Sequence, residues 1–390
     1  MSTPPGAVIT SGDFQGLAIL RSLRGHRIPT VVIDHEHCIS RYSRDLQRFA
    51  KAPSPFRMEA YVDFLVDLAQ RERLEGWVLL PIHDAVVHVL SKYKARLETF
   101  YRVPTPDWQV IQQVYIKEQT YQLAEKHGIP APATRYPKSE AELAELDLSF
   151  PVVLKPSIRD HFYTHVKTKA YRVDNPDELL QTYRKMCQVI DPSEVLVQEF
   201  IPGGPERLFS FTPFFKHGQS VVWIMARRRR QHPMDFGHAS TYVEQVDIPE
   251  LKYIAETFLK AVDYYGIAEV EFMQDPCTGA YKLIEVNPRF WGWHSLAIGA
   301  GADFPYLLYQ DMIGEPVTPA ATLGTGLKWV RLLTDLPTVG REILAGRMSW
   351  QSYCQSMQGR KVWAVWSRRD PLPFLAEVAM IPYLWFKKGF

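Results

Sequence analysis

Apolar and polar positions in the first hundred residues switch repeatedly between the two periods of regular structure. Residues 7–10 form a short apolar run, residues 17–23 carry apolar side chains at helical spacing, and residues 30–33 are apolar until Asp34 closes them. A helix over 57–71 and an apolar run over 77–81 continue the alternation, which predicts a doubly wound parallel sheet. Val103-Pro104-Thr105-Pro106 then reads as a linker. Beyond it, helical periodicity over 107–127 stops at Gly128-Ile129-Pro130. Apolar runs at 151–156, 195–201 and 220–226 alternate with helical patterns over 174–190 and 251–264, an α+β arrangement. A further helix is expected over 302–314, and the segment from about 319 onward, rich in tryptophan and basic residues, reads as an appended element.

The most informative pattern is a pair of alternating runs, 268–273 and 281–287, separated by the turn residues Asp275-Pro276-Cys277-Thr278-Gly279. They predict a hairpin with Glu269, Glu271 and Met273 on one face of the first strand, and Leu283, Glu285 and Asn287 on one face of the second. A loop centred on Thr278 sets Glu271 opposite Glu285 and Glu269 opposite Asn287. Like charges facing each other destabilise a strand pair. A hard cation reverses that sign, since Mg²⁺ takes carboxylate oxygens together with substrate phosphates. Pro288 ends the strand, and Arg289 emerges beside the acidic pair with a fork suited to phosphate. The alternative is a solvated hairpin face.

Composition narrows the class. The 390 residues are 46% hydrophobic and 23% charged with a net charge of +2, which suits a soluble protein of two or three domains and argues against a nucleic-acid partner. Cys38, Cys187, Cys277 and Cys354 show no metal-type spacing, which predicts a reducing, cytoplasmic setting. Residues 1–6 lack a basic stretch, so no signal peptide is expected, and no apolar run reaches the ~20 residues that span a bilayer.

Other candidates lie at element ends. Gly12 and Gly16 do not complete a GxGxxG fingerprint, so a dinucleotide site is weakly indicated. His83-Asp84 follows the 77–81 strand on the side where such sheets bind ligands, with helix capping as the alternative for Asp84. Lys155 ends a buried strand and Lys117 lies in the 107–127 helix; together they suggest an anion site. No glycine occurs between 157 and 202, so a Gly-rich phosphate cradle is missing; Ser157, His165, Lys167 and Lys169 are the replacement donors. Arg227-Arg228-Arg229-Arg230 follow a strand pattern that sets Arg228 and Arg230 on one side, and Gly237 suggests a mobile cover.

With a lysine ahead of "GIPAP", then "VVLKP", "VQEFIPGG" and "EVEF…LIEVNPRFWG", the chain resembles the ATP-grasp superfamily over residues 5–318. Within it, the carbamoyl-phosphate-synthase-like and D-aspartate-ligase-like carboxylate–amine ligases are most similar. The resemblance implies a pre-ATP-grasp domain (1–105), an ATP-grasp lobe with the phosphate lysines (106–202), a second lobe with the metal site (203–318) and a C-terminal appendage (319–390). It implies that Lys117 and Lys155 hold ATP phosphates, that Gln198, Glu199 and Ile201 form the adenine hinge, and that Glu206 takes the ribose. Glu271, Glu285 and Asn287 would bind Mg²⁺ or Mn²⁺, with Glu271 preferred to Glu269. Arg289, with Arg228 or Arg230, would stabilise the reacting phosphate. Trp293, where relatives often carry small residues, suggests a differently shaped acceptor pocket.

The implied activity is ADP-forming ligation of a small-molecule carboxylate to an amine through an acyl phosphate. That chemistry needs positioning and charge compensation more than a nucleophile. His161, His165, His232 and His238 are candidate amine bases or structural residues. A bicarbonate- or formate-using ligase and a decayed ATP-binding module are the alternatives. Homodimers are common among the relatives. The apolar segment 374–386, between Arg368-Arg369 and Lys387-Lys388, is read as a helix against the main body, with peripheral membrane contact as the alternative.

Overall fold

The structure, a computed structural model, describes residues 4–234, 237, 239–318 and 324–382. Five short segments pair in parallel, apolar at the centre of the sheet and mixed at its edges: β1 (Ala7–Ile9), β2 (Thr30–Asp34), β3 (Arg48–Lys51), β4 (Trp77–Leu80) and β5 (Tyr101–Arg102). Their order, β3-β2-β1-β4-β5, is that of a doubly wound sheet with its switch point between β1 and β4. The helix Phe14–Gly25 starts close behind β1. A side chain at Gly16 would bring its Cβ to 1.8 Å from the Ser11 carbonyl oxygen, so the glycine serves this close packing. Asp34 accepts from the Gly12 N–H (2.7 Å), the Ser11 hydroxyl and the Glu36 N–H, which commits its carboxylate to the turn.

A four-stranded sheet follows, with β6 (Thr134–Arg135), β7 (Val152–Pro156), β8 (Tyr171–Val173) and β9 (Val195–Glu199) in the order β6-β9-β7-β8. It has its own core, built by Leu154, Val197, Phe162, Tyr183 and their neighbours. The third sheet is eight-stranded. It contains β10 (Leu208–Lys216), β11 (Gln219–His232), β12 (Ala239–Val246), β13 (Gly266–Ile267), β14 (Glu269–Gln274), β15 (Tyr281–Asn287), β16 (Lys328–Val330) and β17 (Lys361–Trp363). One continuous core joins the first sheet to the third through Ile9, Leu20, Phe214, Trp291 and Trp329, and includes Ala364 and Val365.

Several expectations needed correcting. The helical stretch after Asp107 is two helices, Trp108–Tyr115 and Lys117–Lys126, because Ile116 is extended and the Lys117 N–H is taken by the Ser157 carbonyl (3.0 Å). Lys117 therefore opens a helix. The segment after 319 is woven into the fold: β16 pairs with β12, and β17 pairs with β16. The helix Leu372–Ala379 lies against the main body, where Asp370 takes the Arg21 fork and Glu377 pairs with Arg331 (2.9 Å). Residues 319–323 and 383–390, including Lys387-Lys388, lie outside the described residues, as do 235, 236 and His238. Among the described residues, no helix is long and apolar enough to cross a membrane.

Two bulges decide which side chains share a face. In the β14–β15 hairpin, Glu271 pairs with Glu285 and Glu269 with Asn287, as the loop centre implied. Between Glu271 and Phe272 the register shifts, so Leu283 pairs with Phe272 and turns into the core, away from Glu285. In β11, Arg228 pairs with Val243 and Arg230 with Tyr242, leaving Arg229 as the extra residue. Partners share a face while neighbours along a strand alternate, so Arg228 and Arg230 point to opposite sides.

Candidate active site

Glu285 and Asn287 of the hairpin line a cleft between the three sheets, together with Asp84, Lys117, Arg159 and Asp160. Each strand delivers its side chain at a fixed depth. Glu269, only 4% exposed, accepts from the Ser210 hydroxyl (3.1 Å), the Trp293 indole N–H (2.9 Å) and the Asn287 amide (3.2 Å). Burial, and then the neighbouring Glu271 charge, push its carboxyl up to about 8. Glu271 stands further out, between the Asn287 amide (3.1 Å) and the Arg228 guanidinium (3.1 Å). Glu285 accepts from the Lys117 ammonium at 2.7 Å. Burial opposes its ionisation, but Lys117 and Lys169 outweigh that and hold the carboxyl well below the usual range.

Arg289 lies against the first sheet. Its Nε and Nη2 grip both oxygens of Asp84 (2.6 and 3.0 Å), Nη2 also donates to the Asn287 amide oxygen, and Nη1 donates to the Phe290 carbonyl. Burial opposes the Asp84 charge, yet Arg289 and then Arg159 keep the carboxyl below its ordinary value. Asp84, at the first turn of the helix Asp84–Lys92, is thus bound by an arginine that follows β15. The sequence suggested Asp84 as a cap or a substrate contact and held no signal for a partner 205 residues away.

Lys155, at the end of β7, is buried beneath the Tyr121 ring and donates to its hydroxyl. Burial, and then Lys117, press its ammonium down to about 7. Tyr121, for which the sequence held no signal, also donates to the Ile284 carbonyl and so ties the small sheet to the hairpin. Gln198 is buried and donates to the Thr134 hydroxyl (2.7 Å); Glu199 pairs with Lys282 (2.7 Å); Ile201 is buried. Glu206 accepts from the Gly204 N–H (3.1 Å) in a single turn, Pro205–Arg207, ahead of β10.

Other candidates lie elsewhere. Arg230 is 3% exposed and bidentate with Asp335 (2.8 Å at each contact), so it locks the C-terminal segment in place and is remote from the acidic pair. Trp293 is buried, packs on Trp291 and spends its indole N–H on Glu269 (2.9 Å). His161 pairs with Glu194 (2.9 Å), His165 turns back to the His161 carbonyl, and His232 faces the Thr338 hydroxyl; none of the three lines the cleft. Of the replacement donors, the Ser157 hydroxyl accepts from the Glu118 N–H and Lys167 is exposed over the Tyr163 ring. Lys169 alone reaches the electrostatic field of Glu285 and Glu271; burial, and then Arg159, bring its ammonium down to about 8.

Hard oxygen donors from Glu271 and Glu285 fit a magnesium ion that completes its shell with phosphates. Among the described residues, no group of three or more His, Cys, Asp or Glu side chains could hold a metal, which is compatible with two protein carboxylates sharing an ion with a ligand. The Asn287 amide turns its N–H groups to the carboxylates and its oxygen to Arg289.

No family model matches the sequence. By sequence the chain is similar to D-aspartate ligase of Enterococcus faecium, 23% identical over 242 residues, which is 59% of this chain and 58% of that protein. It is also similar to the carbamoyl phosphate synthase large chain of Methanothermobacter thermautotrophicus, 24% identical over 169 residues, 41% of this chain and 15% of that protein. The chain therefore spans little over half of the first relative and a small part of the second. In structure it resembles the L-amino acid ligase from Bacillus licheniformis, with a TM-score of 0.63 and 16% identity over 80% of this chain and 75% of that one. The biotin carboxylase domain dimer of Hydrogenobacter thermophilus 2-oxoglutarate carboxylase, in complex with MgADP, ADP and bicarbonate, gives a TM-score of 0.63 and 18% identity over 80% and 70%. At these identities the structural likeness establishes the fold.

Proposed function

We propose that this chain, which has the ATP-grasp fold and whose relatives are ATP-grasp carboxylate–amine ligases, joins a small-molecule carboxylate to an amine and forms ADP. The observation that carries the reading is the facing pair Glu271 and Glu285, each held by a cation that a phosphate could claim. In this reading Lys117 and Lys155 hold the nucleotide phosphates. Gln198, Glu199 and Ile201 border adenine, and Glu206 takes the ribose hydroxyls. Glu271, Glu285 and Asn287 are the residues that would hold Mg²⁺ or Mn²⁺. When bound, that ion neutralises charge on the phosphates.

The acid's carboxylate oxygen attacks the terminal phosphorus, and the bond to ADP breaks with its electron pair leaving on ADP. The amine nitrogen then attacks the acyl carbon, loses a proton and expels phosphate. Arg289 and Arg228, held at fixed depth by Asp84 and Glu271, stabilise the phosphoryl oxygens and the tetrahedral oxyanion. The divisions at 105 and 202 belong to this reading, a pre-ATP-grasp domain and two lobes that clamp the nucleotide, with the segment after 318 continuing the sheet of the second lobe. So does a homodimer, supported by the biotin carboxylase domain dimer. A cytoplasmic location fits four cysteines that are all free.

The test is to supply ATP and Mg²⁺ with pooled acids and amines and to quantify ADP, AMP and phosphate by chromatography. ADP and phosphate that appear only with a particular acid–amine pair support the ligase. AMP with pyrophosphate overturns the acyl-phosphate route, and turnover without any amine favours a bicarbonate-type reaction.

A second element of the reading is peripheral membrane contact. Leu372, Leu375 and Val378 are exposed along one side of the helix Leu372–Ala379, and Arg368-Arg369 precede it, the pattern of a helix that lies on an anionic surface. Flotation with anionic vesicles tests it: full-length protein that stays with the unbound fraction, as a truncation before Pro371 does, removes the idea.

A further inference from the structure

Between β7 and β8, where the sequence lacks the glycines of a phosphate cradle, the chain forms a helix, Arg159–Val166. Its first residue, Arg159, reaches the cleft beside Lys117, Glu285 and Asn287. Three direct ion pairs hold the neighbouring cations in place, Lys117–Glu285, Arg228–Glu271 and Arg289–Asp84, each at 2.6 to 3.1 Å. Arg159 has only a looser pairing. It stands 3.7 Å from Asp84, an ion-pair distance without a hydrogen bond, and both Asp84 oxygens already accept from Arg289. Its Nε is buried and has no hydrogen-bond acceptor among the described residues. The guanidinium is braced 4.9 Å from the centre of the Tyr163 ring.

A desolvated guanidinium edge without an acceptor is costly unless an anion completes it. Both oxygens of the nearest carboxylate, Asp84, already accept from Arg289, and neighbouring Asp160 makes no hydrogen bond to Arg159, so a phosphate entering the cleft would supply the acceptor this edge lacks. We propose that Arg159 grips the terminal phosphate of the nucleotide, doing with one planar side chain what the backbone N–H groups of a glycine-rich loop would do. The proposal rests on the ligase reading above. It assigns to the helix Arg159–Val166 the role of phosphate cover and gives Tyr163 the task of fixing the guanidinium plane. Terminal-phosphate selectivity follows from place: Arg159 lies on the Asp84–Arg289 side of the cleft, where the reacting phosphate is assigned, whereas Lys155 lies deeper, under Tyr121.

The experiment is calorimetric titration, with Mg²⁺, of the whole protein and of Arg159→Ala and Arg159→Lys, using ADP and the non-hydrolysable adenylyl imidodiphosphate. Losing one charge-assisted contact should weaken the triphosphate analogue about tenfold or more. ADP affinity should stay unchanged, and Arg159→Lys should recover part of the loss. Equal weakening of both nucleotides, or none for the analogue, overturns the assignment. A wild-type protein that binds neither nucleotide sinks the ligase reading, and this proposal with it. Arg159 opens a short helix on the cleft rim, and unchanged thermal melting of the variants will separate lost contact from lost fold.

Discussion

Arg228 and Arg230 sit two positions apart on one strand, and the fold uses them in opposite ways. Arg228 faces the acidic pair and holds Glu271 through Nη2, in a place where a ligand could compete for either partner. Arg230 faces the other side, sealed among Asp335, Ser356 and the Tyr242 ring, which lies 4.1 Å from its guanidinium carbon. The single extra residue at Arg229 makes the difference. An identical side chain becomes a candidate for chemistry or a rivet according to which face the bulge gives it, so residue type alone does not assign a role in an arginine run.

The largest expected effect tests the rivet. Arg230→Ala strands a fully buried Asp335 and should cost about 3–5 kcal/mol of stability. Denaturant unfolding will read the loss, and turnover per folded molecule should remain intact. A variant that melts normally but loses turnover would reverse the two roles. Arg228→Ala is expected to do the converse, lowering turnover about 10²–10³-fold and costing less stability than Arg230→Ala, since its partner Glu271 is less deeply buried than Asp335.

The smallest effect concerns Lys155. Burial has brought its ammonium down to about 7, and phosphate binding favours the charged form. Above pH 7 the free protein must take up a proton to bind nucleotide, so affinity for MgADP should fall as pH rises, approaching about tenfold per unit. Calorimetry at pH 8 in two buffers of different ionisation enthalpy will show that uptake; identical heats in both would leave Lys155 out of the phosphate site.

The hairpin register was legible in the sequence because turn residues fixed the loop and acidic side chains recurred at period two, and Glu271 does face Glu285. What strict alternation hides is the bulge. Leu283 was expected beside Glu285 and Arg230 beside Arg228, and in each strand one inserted residue turned the side chain over. The break at Ile116 was invisible for a related reason: the helical period continues through it, and a distant carbonyl, that of Ser157, claims the Lys117 N–H. Asp84, Tyr121 and Arg159 gained their places from contacts tens to hundreds of positions away, for which a single sequence holds no signal.

The continuous core shared by the first and third sheets, strapped by Asp370 on Arg21 and Glu377 on Arg331, also has a mechanical meaning. Those two sheets form one stiff frame, whereas the four-stranded sheet carries a separate core of its own. We therefore expect any swinging that admits nucleotide to be carried by the four-stranded sheet alone, as a jaw hinged on a fixed anvil. Paired spin labels would show it as a broad distance distribution across the cleft and a narrow one within the frame. Equal breadth in both would mean that the frame itself flexes.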